Sequence, residues 1–163
     1  MLKLKRWREG AQVERCHTVK HIGTYSVGEH SHGVALIILA LHPRPSHALL
    51  RAAILHDLHE VHTGDIPAFA KTREIKMREQ AIDAQIGTDV RLEESELRWL
   101  RGADLLECLL WAREQRQMGN RNVARIEEHV FIALSATTTD IPAEIRRQAL
   151  EYKADRSWPI GAK

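Results

Sequence analysis

Nowhere along this chain do β-branched residues alternate with polar ones over the length of a strand. Apolar residues instead return at helical spacing between caps and breakers. Ser26 is placed to cap a helix over about Gly28 to Leu41, which Pro43 and Pro45 stop. Ser46 caps a second, about His47 to Val61, whose apolar face carries Leu49, Leu50, Ala53, Ile54 and Leu58. The run Thr63-Gly64-Asp65-Ile66-Pro67 then breaks the pattern, because Gly and Pro together mark a loop. Further helices are expected at about Thr72 to Ile86, Glu93 to Met118, Asn122 to Ala136 and Ile141 to Arg156. Gly87 and Gly119 end the first two of these. The expected fold class is all-α: a single domain over residues 1–163, built from about six helices.

A chain of 163 residues with 44% hydrophobic and 28% charged residues can bury a core without disulfide staples. Lys and Arg number 24 against 22 Asp and Glu, which is too even a balance for a protein coated by nucleic acid. A sequence pI near 8.7 nevertheless suits an anionic small molecule. The longest apolar run, Val34 to Leu41, falls far short of the ~20 residues a spanning helix needs, so no membrane partner is expected. The N-terminal MLKLKRWREG has no apolar stretch of signal-peptide type. Cys16 and Cys108 cannot form a disulfide framework and read as reduced thiols. A cytoplasmic location is therefore expected.

Histidine is the anomaly in the composition. Nine of the ten fall between His17 and His62. Imidazoles are the commonest metal ligands, so such clustering calls for a chemical account. In Leu55-His56-Asp57-Leu58-His59-Glu60, an imidazole and a carboxylate sit side by side and can share an ion over the groove between them. That donor set suits Zn, Mn, Co or Ni. Glu60 rises one turn after His56 on nearly the same face, close enough to hold a water without being a ligand. His30 lies at the start of the preceding helix. Asp104 lies among Leu105, Leu106, Leu109 and Leu110, where a carboxylate is expensive to bury unless paired or metal-bound. His30, His56, Asp57 and Asp104, from three helices, would close most of a coordination sphere and leave room for water and a phosphate oxygen.

The order His, His-Asp, Asp resembles that of the HD-domain metal-dependent phosphohydrolases. Arg15, Glu29-His30-Ser31, His56-Asp57-x-x-Glu60 and Thr63-Gly64-Asp65-Ile66-Pro67 followed by Lys71 resemble the 5′-deoxynucleotidase branch. They are more similar still to its short phage relatives, the dATP triphosphohydrolases of viruses that replace adenine with 2-aminoadenine. The similarity spans about Arg15 to Leu106. It implies an HD-type helical bundle around a metal site, with His30, His56, Asp57 and Asp104 as ligands. It also implies Glu60 and Asp65 as catalytic groups, and Arg15 and Lys71 as phosphate or substrate contacts. The chemistry agrees: cations fixed around a phosphoryl group stabilise the charge spread over its oxygens in transfer. Arg15 can grip two oxygens at once, whereas Lys71 is a compact point charge. Two positions depart from the relatives. Cys16 stands where they commonly carry a Trp against the nucleobase, and Phe69 replaces the second proline of a Pro-Ala-Pro-Ala-Lys loop. Both are candidate base contacts, with Phe69 equally open as a core residue, and adenine preference does not carry over.

The expected activity is metal-dependent hydrolysis of a deoxynucleotide, first as a dNTP triphosphohydrolase releasing deoxynucleoside and triphosphate. The alternative is a 5′-deoxynucleotidase acting on a dNMP. A non-catalytic helical nucleic-acid-binding regulator, using Lys3-Leu4-Lys5-Arg6-Trp7-Arg8, is a distant third that leaves the His/Asp set unexplained. That basic stretch reads instead as a solvated or oligomer-facing arm. The cofactor expected is a divalent transition metal, with an additional divalent ion on the substrate phosphates left open. The partners expected are a deoxynucleotide and further copies of the chain, with no stable nucleic acid. His59-Glu60-Val61-His62 is no metalloprotease motif, because its histidines are i and i+3 rather than i and i+4. His59 and His62 read as supporting or surface groups, His17 and His21 as open candidates for substrate contact, and Glu107 as a surface or hydrogen-bonding carboxylate.

Overall fold

The computed structural model describes residues 2–67, 70–136 and 140–154. Phe69 lies outside the described residues. The helices are α1 (Leu2–Gly10), α2 (Val27–Leu41), α3 (His47–Leu55), α4 (Glu60–Thr63), α5 (Arg73–Ile86), α6 (Glu94–Gln117), α7 (Ala124–Ser135) and α8 (Ala143–Ala154). A 3₁₀ turn, Arg121–Val123, leads into α7. No strand forms among the described residues; an isolated antiparallel bridge pairs Glu14 with Ser26. The all-α expectation holds.

Local chemistry starts the helices where the sequence placed them. Ser26 accepts from the Glu29 N–H while the Glu29 carboxylate reaches back to Ser26, a closed capping box. Ser46 accepts from Leu49 N–H, and Thr72 from Ile75 N–H. Behind these starts, α6 packs along α2 and α7, and α2 packs on α3. The main core holds Val34, Ile38, Leu49, Ala53, Leu106, Leu109, Leu134 and Ile145. A second core, Val27, Leu55, Leu58, Ile82 and Ile86, seats α5 and the N-terminal segment.

Two expectations are corrected. The helix expected over about His47 to Val61 is broken: α3 ends at Leu55 and α4 begins at Glu60. Between them the chain tightens to three-residue hydrogen bonding, from Leu58 N–H to Leu55 O (3.1 Å), Glu60 to Asp57 (3.0 Å), Val61 to Leu58 (3.2 Å) and His62 to His59 (3.0 Å). Residues three apart eclipse in such a turn, which brings Asp57 and Glu60 into line. The basic stretch, read as an arm, is helix α1. Trp7 Nε1 donates to Ile86 O at 3.0 Å, with Lys3 and Arg51 against its ring. Gly10 permits the docking, because a Cβ there would meet Leu58 O at 2.8 Å. Together these add two helical segments to the six expected.

Leu134 is fully buried in the main core, and no residue of the metal-site candidates belongs to that core. Leu134→Ala is expected to cost about 2–5 kcal/mol by lost burial and a residual cavity. Urea unfolding checks this, and zinc affinity of the folded variant should stay at the wild-type value.

Candidate metal centre

Four segments converge at the ends of α2 and α3. The Glu14–Ser26 bridge, with Arg15 N–H donating to Tyr25 O (2.7 Å) and Val27 N–H to Val13 O (2.9 Å), fixes Arg15 beside the start of α2. His30 then points inward from the first turn of α2 and is wholly buried. The tightened turn after α3 presents His56 and Asp57, and α6 brings Asp104 across.

His30, His56 and Asp57 each offer a ligand atom within 4.8 Å of the others. Asp57 Oδ2 lies 3.4 Å from His56 Nε2 and 3.8 Å from His30 Nε2, and Asp104 Oδ1 lies 3.0 Å from His30 Nε2. Three of the expected ligands thus form one group, and Asp104 joins it through His30. The Asp104 side chain is 39% exposed, so it leaves the leucine face on which the sequence seemed to bury it. His56 Nδ1 donates to Ala53 O at 3.0 Å, which leaves Nε2 as the free nitrogen. The Nε2 atoms of His30 and His56 and Oε2 of Glu60 are buried without an aligned hydrogen-bond partner. Buried polar atoms are ordinarily paired, so three unpaired ones around two carboxylates fit a divalent cation held by nitrogen and oxygen donors.

Arg15 reaches the same cluster. Its guanidinium pairs with Asp57 and lies 3.9 Å from Asp104 Oδ1. Burial would raise the Asp57 carboxyl, but His56, Arg15 and His30 outweigh it and hold it far below the ordinary range. Burial would likewise lower His30, yet the Asp104 and Glu107 carboxylates beside its ring bring it to about 9. Glu60 moves the other way: burial, then the neighbouring Asp57 charge, push it up to about 9. Two carboxyls three residues apart are therefore set to opposite protonation states.

The remaining candidates are placed unevenly. Asp65, just beyond α4, accepts the Cys16 N–H at 2.6 Å and so ties the Arg15 segment to the Gly64–Pro67 loop. Cys16 itself sits at φ 53°, in the left-handed region. Lys71 lies 3.0 Å from Glu79 rather than facing outward as an uncommitted cation. Burial lowers the Lys71 ammonium, but Glu79, then Asp57, raise it overall. His59 is buried with its nitrogens 3.5 Å from Glu79 and 3.4 Å from Asp83, a supporting position. His62 is exposed beside Arg6, and His21 pairs with Glu14 and abuts Trp111. Glu107, read as a surface or hydrogen-bonding carboxylate, meets His30 Nδ1 and the Tyr25 hydroxyl. Its position one turn after Asp104 was the available signal; Tyr25 carried none.

Residues 12–101, over half of the chain, match the family described as HD domain, and the protein belongs to that family. Asp104 lies just past the matched stretch. Among solved structures, the chain is similar to a cyanophage S-2L HD phosphohydrolase, DatZ, described as bound to dA and one catalytic Zn2+ ion. The two share 19% identity at a TM-score of 0.65, over 91% of this chain and 92% of the other. That likeness establishes the shared helical architecture. No curated protein sequence matches the chain. None of the described helices is long and apolar enough to cross a membrane.

Asp57→Asn keeps the side chain's shape and removes its charge. It is expected to lower zinc affinity by at least about tenfold and to abolish metal-supported activity, while the metal-free protein keeps its helical circular dichroism. Titration against a competing chelator measures the affinity.

Proposed function

We propose that this protein is a metal-dependent phosphohydrolase of deoxynucleotides, acting first on a dNTP to release deoxynucleoside and triphosphate. The observation that carries the reading is the convergence of His30, His56, Asp57 and Asp104, with unpaired Nε2 atoms, on the guanidinium of Arg15. Chelating donors and a phosphate-gripping cation in one place are what phosphoryl transfer requires. The HD domain family and the fold shared with a zinc-bound phage phosphohydrolase support the same class.

His30, His56, Asp57 and Asp104 would hold the ion. When bound, a divalent metal polarises a phosphoryl oxygen and makes water a stronger acid. The rest is the work of this chain's own groups. Arg15 exchanges its contact with Asp57 for phosphate oxygens and orients the phosphorus. Glu60, aligned with Asp57, would lose its own proton once a cation offsets the Asp57 charge that raises it, and then positions the attacking water and takes up a proton from it. Asp65, fixed by the Cys16 N–H, helps to orient that water, and the proton taken up by Glu60 passes to the departing 5′-oxygen. One P–O bond breaks, and water supplies the hydroxyl to phosphorus and the hydrogen to the nucleoside.

The same bond breaks in a dNMP, which keeps the 5′-deoxynucleotidase reading as the second one. The Lys71–Glu79 contact favours it, because a lysine committed to a carboxylate gives the β- and γ-phosphates of a dNTP less to bind. Incubation with dATP and with dAMP, with and without chelator, decides between the two. Chelator-sensitive release of triphosphate supports the first reading, and release of phosphate from dAMP alone supports the second. No hydrolysis of either would refute both.

Two variants sharpen the assignment. Glu60→Gln should keep the metal and slow turnover by about 10²–10⁴-fold, the range for a general acid–base group. Loss of metal with activity would make Glu60 a ligand. Lys71→Ala should depress kcat/KM on dATP by about one to two decades, equivalent to ~1.5–3 kcal/mol for a charge-assisted contact. The effect on dAMP should be much smaller; an equal loss on both places Lys71 at the α-phosphate.

A further inference from the structure

His30 has two ring nitrogens, and its use as a ligand depends on what the second one does. Nδ1 faces the Glu107 carboxylate, whose side chain is 13% exposed. A carboxylate in that position is expensive to bury unless its lone pairs are used. They are: the Tyr25 hydroxyl donates to the Glu107 oxygen that meets Nδ1 and lies 3.2 Å from Nδ1. Tyr25 is in turn fixed, 3% exposed and stacked on Trp111 at 4.4 Å with 9° between the planes. Gly33, almost one turn after His30 on α2, completes the arrangement. A Cβ there would stand 2.7 Å from Glu107 Cγ and 3.1 Å from Oε1, so a side chain at this position would push the carboxylate away from α2.

These observations come from three segments and agree in direction. We propose that Glu107 is a positioning residue: held by Tyr25 and admitted by Gly33, it clamps His30 through Nδ1 and aims Nε2 at the Asp57–Asp104 cluster. The inference rests on the reading of His30 as a metal ligand. Asp104 and Glu107, one turn apart on α6, then act as a pair, one facing the ion and the other holding the imidazole that shares it. Partners of this kind orient a ligand's ring and raise its basicity, and their removal weakens metal binding by about 10–100-fold.

The test uses zinc alone, with no substrate. Glu107→Gln should lower zinc affinity by about tenfold or more in competition with a chelator. Gly33→Ala, which leaves every polar group in place and only displaces Glu107, should lower it in the same direction. In zinc-loaded wild type the His30 Nδ1 proton should appear as a downfield, slowly exchanging resonance, and in both variants that signal should broaden or vanish. Thermal unfolding of the metal-free proteins identifies any general folding defect, and Tyr25→Phe, which preserves the stack on Trp111, should give a smaller loss by freeing Glu107. Wild-type zinc affinity and an unchanged Nδ1 resonance in Glu107→Gln and Gly33→Ala would overturn the clamp while leaving the metal reading intact. Failure of the wild type to bind zinc would overturn the reading of His30 and the clamp with it.

Discussion

The carboxylate of Asp57 is the charge that the rest of the site is arranged to balance. It is set into a turn with His56 beside it, His30 across from it and Arg15 against it. Each neighbour favours its ionised form, and together they overcome burial. The same charge raises Glu60. A cation drawn to Asp57 would therefore compete with Arg15 and relieve Glu60 at once, so Arg15, Asp57 and Glu60 are electrostatically one system rather than three.

That system depends on a local break in helix geometry. An uninterrupted α-helix from His47 to Val61 would leave Asp57 and Glu60 about 60° apart around the axis. Tightening to three residues per turn removes most of the offset. The second core, with Leu55 and Leu58 packed on Val27, Ile82 and Ile86, holds the turn in place from behind. Helix α1 adds to that support by resting on Leu58 at Gly10.

Much of this was legible in the residues, and the exceptions have physical reasons. Ser26, Ser46 and Thr72 cap helices by bonds to nearby N–H groups, so local sequence suffices to find them. The His-Asp spacing singled out residues that the fold does bring together, because imidazole and carboxylate together name a chemistry. The break after Leu55 was not readable, because over five residues an apolar period of 3.6 cannot be told from one of 3.0. Helix α1 was missed because its face is short and basic; what orders it is Trp7 reaching Ile86, a contact across the fold. Glu107 was ambiguous for the same reason, since its partners Tyr25 and His30 lie far away in sequence. The pairing of Lys71 was not readable because Glu79, nearly two turns into α5, gave no sign of facing it.

Sequence separation also orders the assembly of the site. His30, His56 and Asp57 need only the helical hairpin of α2 and α3, whereas Arg15 meets Asp57 across 42 residues, Cys16 meets Asp65 across 49 and Glu107 meets His30 across 77. Loop-closure entropy grows with such spans, if slowly. The hairpin thus gathers three of the four clustered donors at short range, and the long-range contacts set them against Arg15 and Glu107. A chain in which α6 has come loose would lose Asp104 and the hold of Glu107 on His30 together, and with them both a carboxylate of the cluster and the aim of the ring.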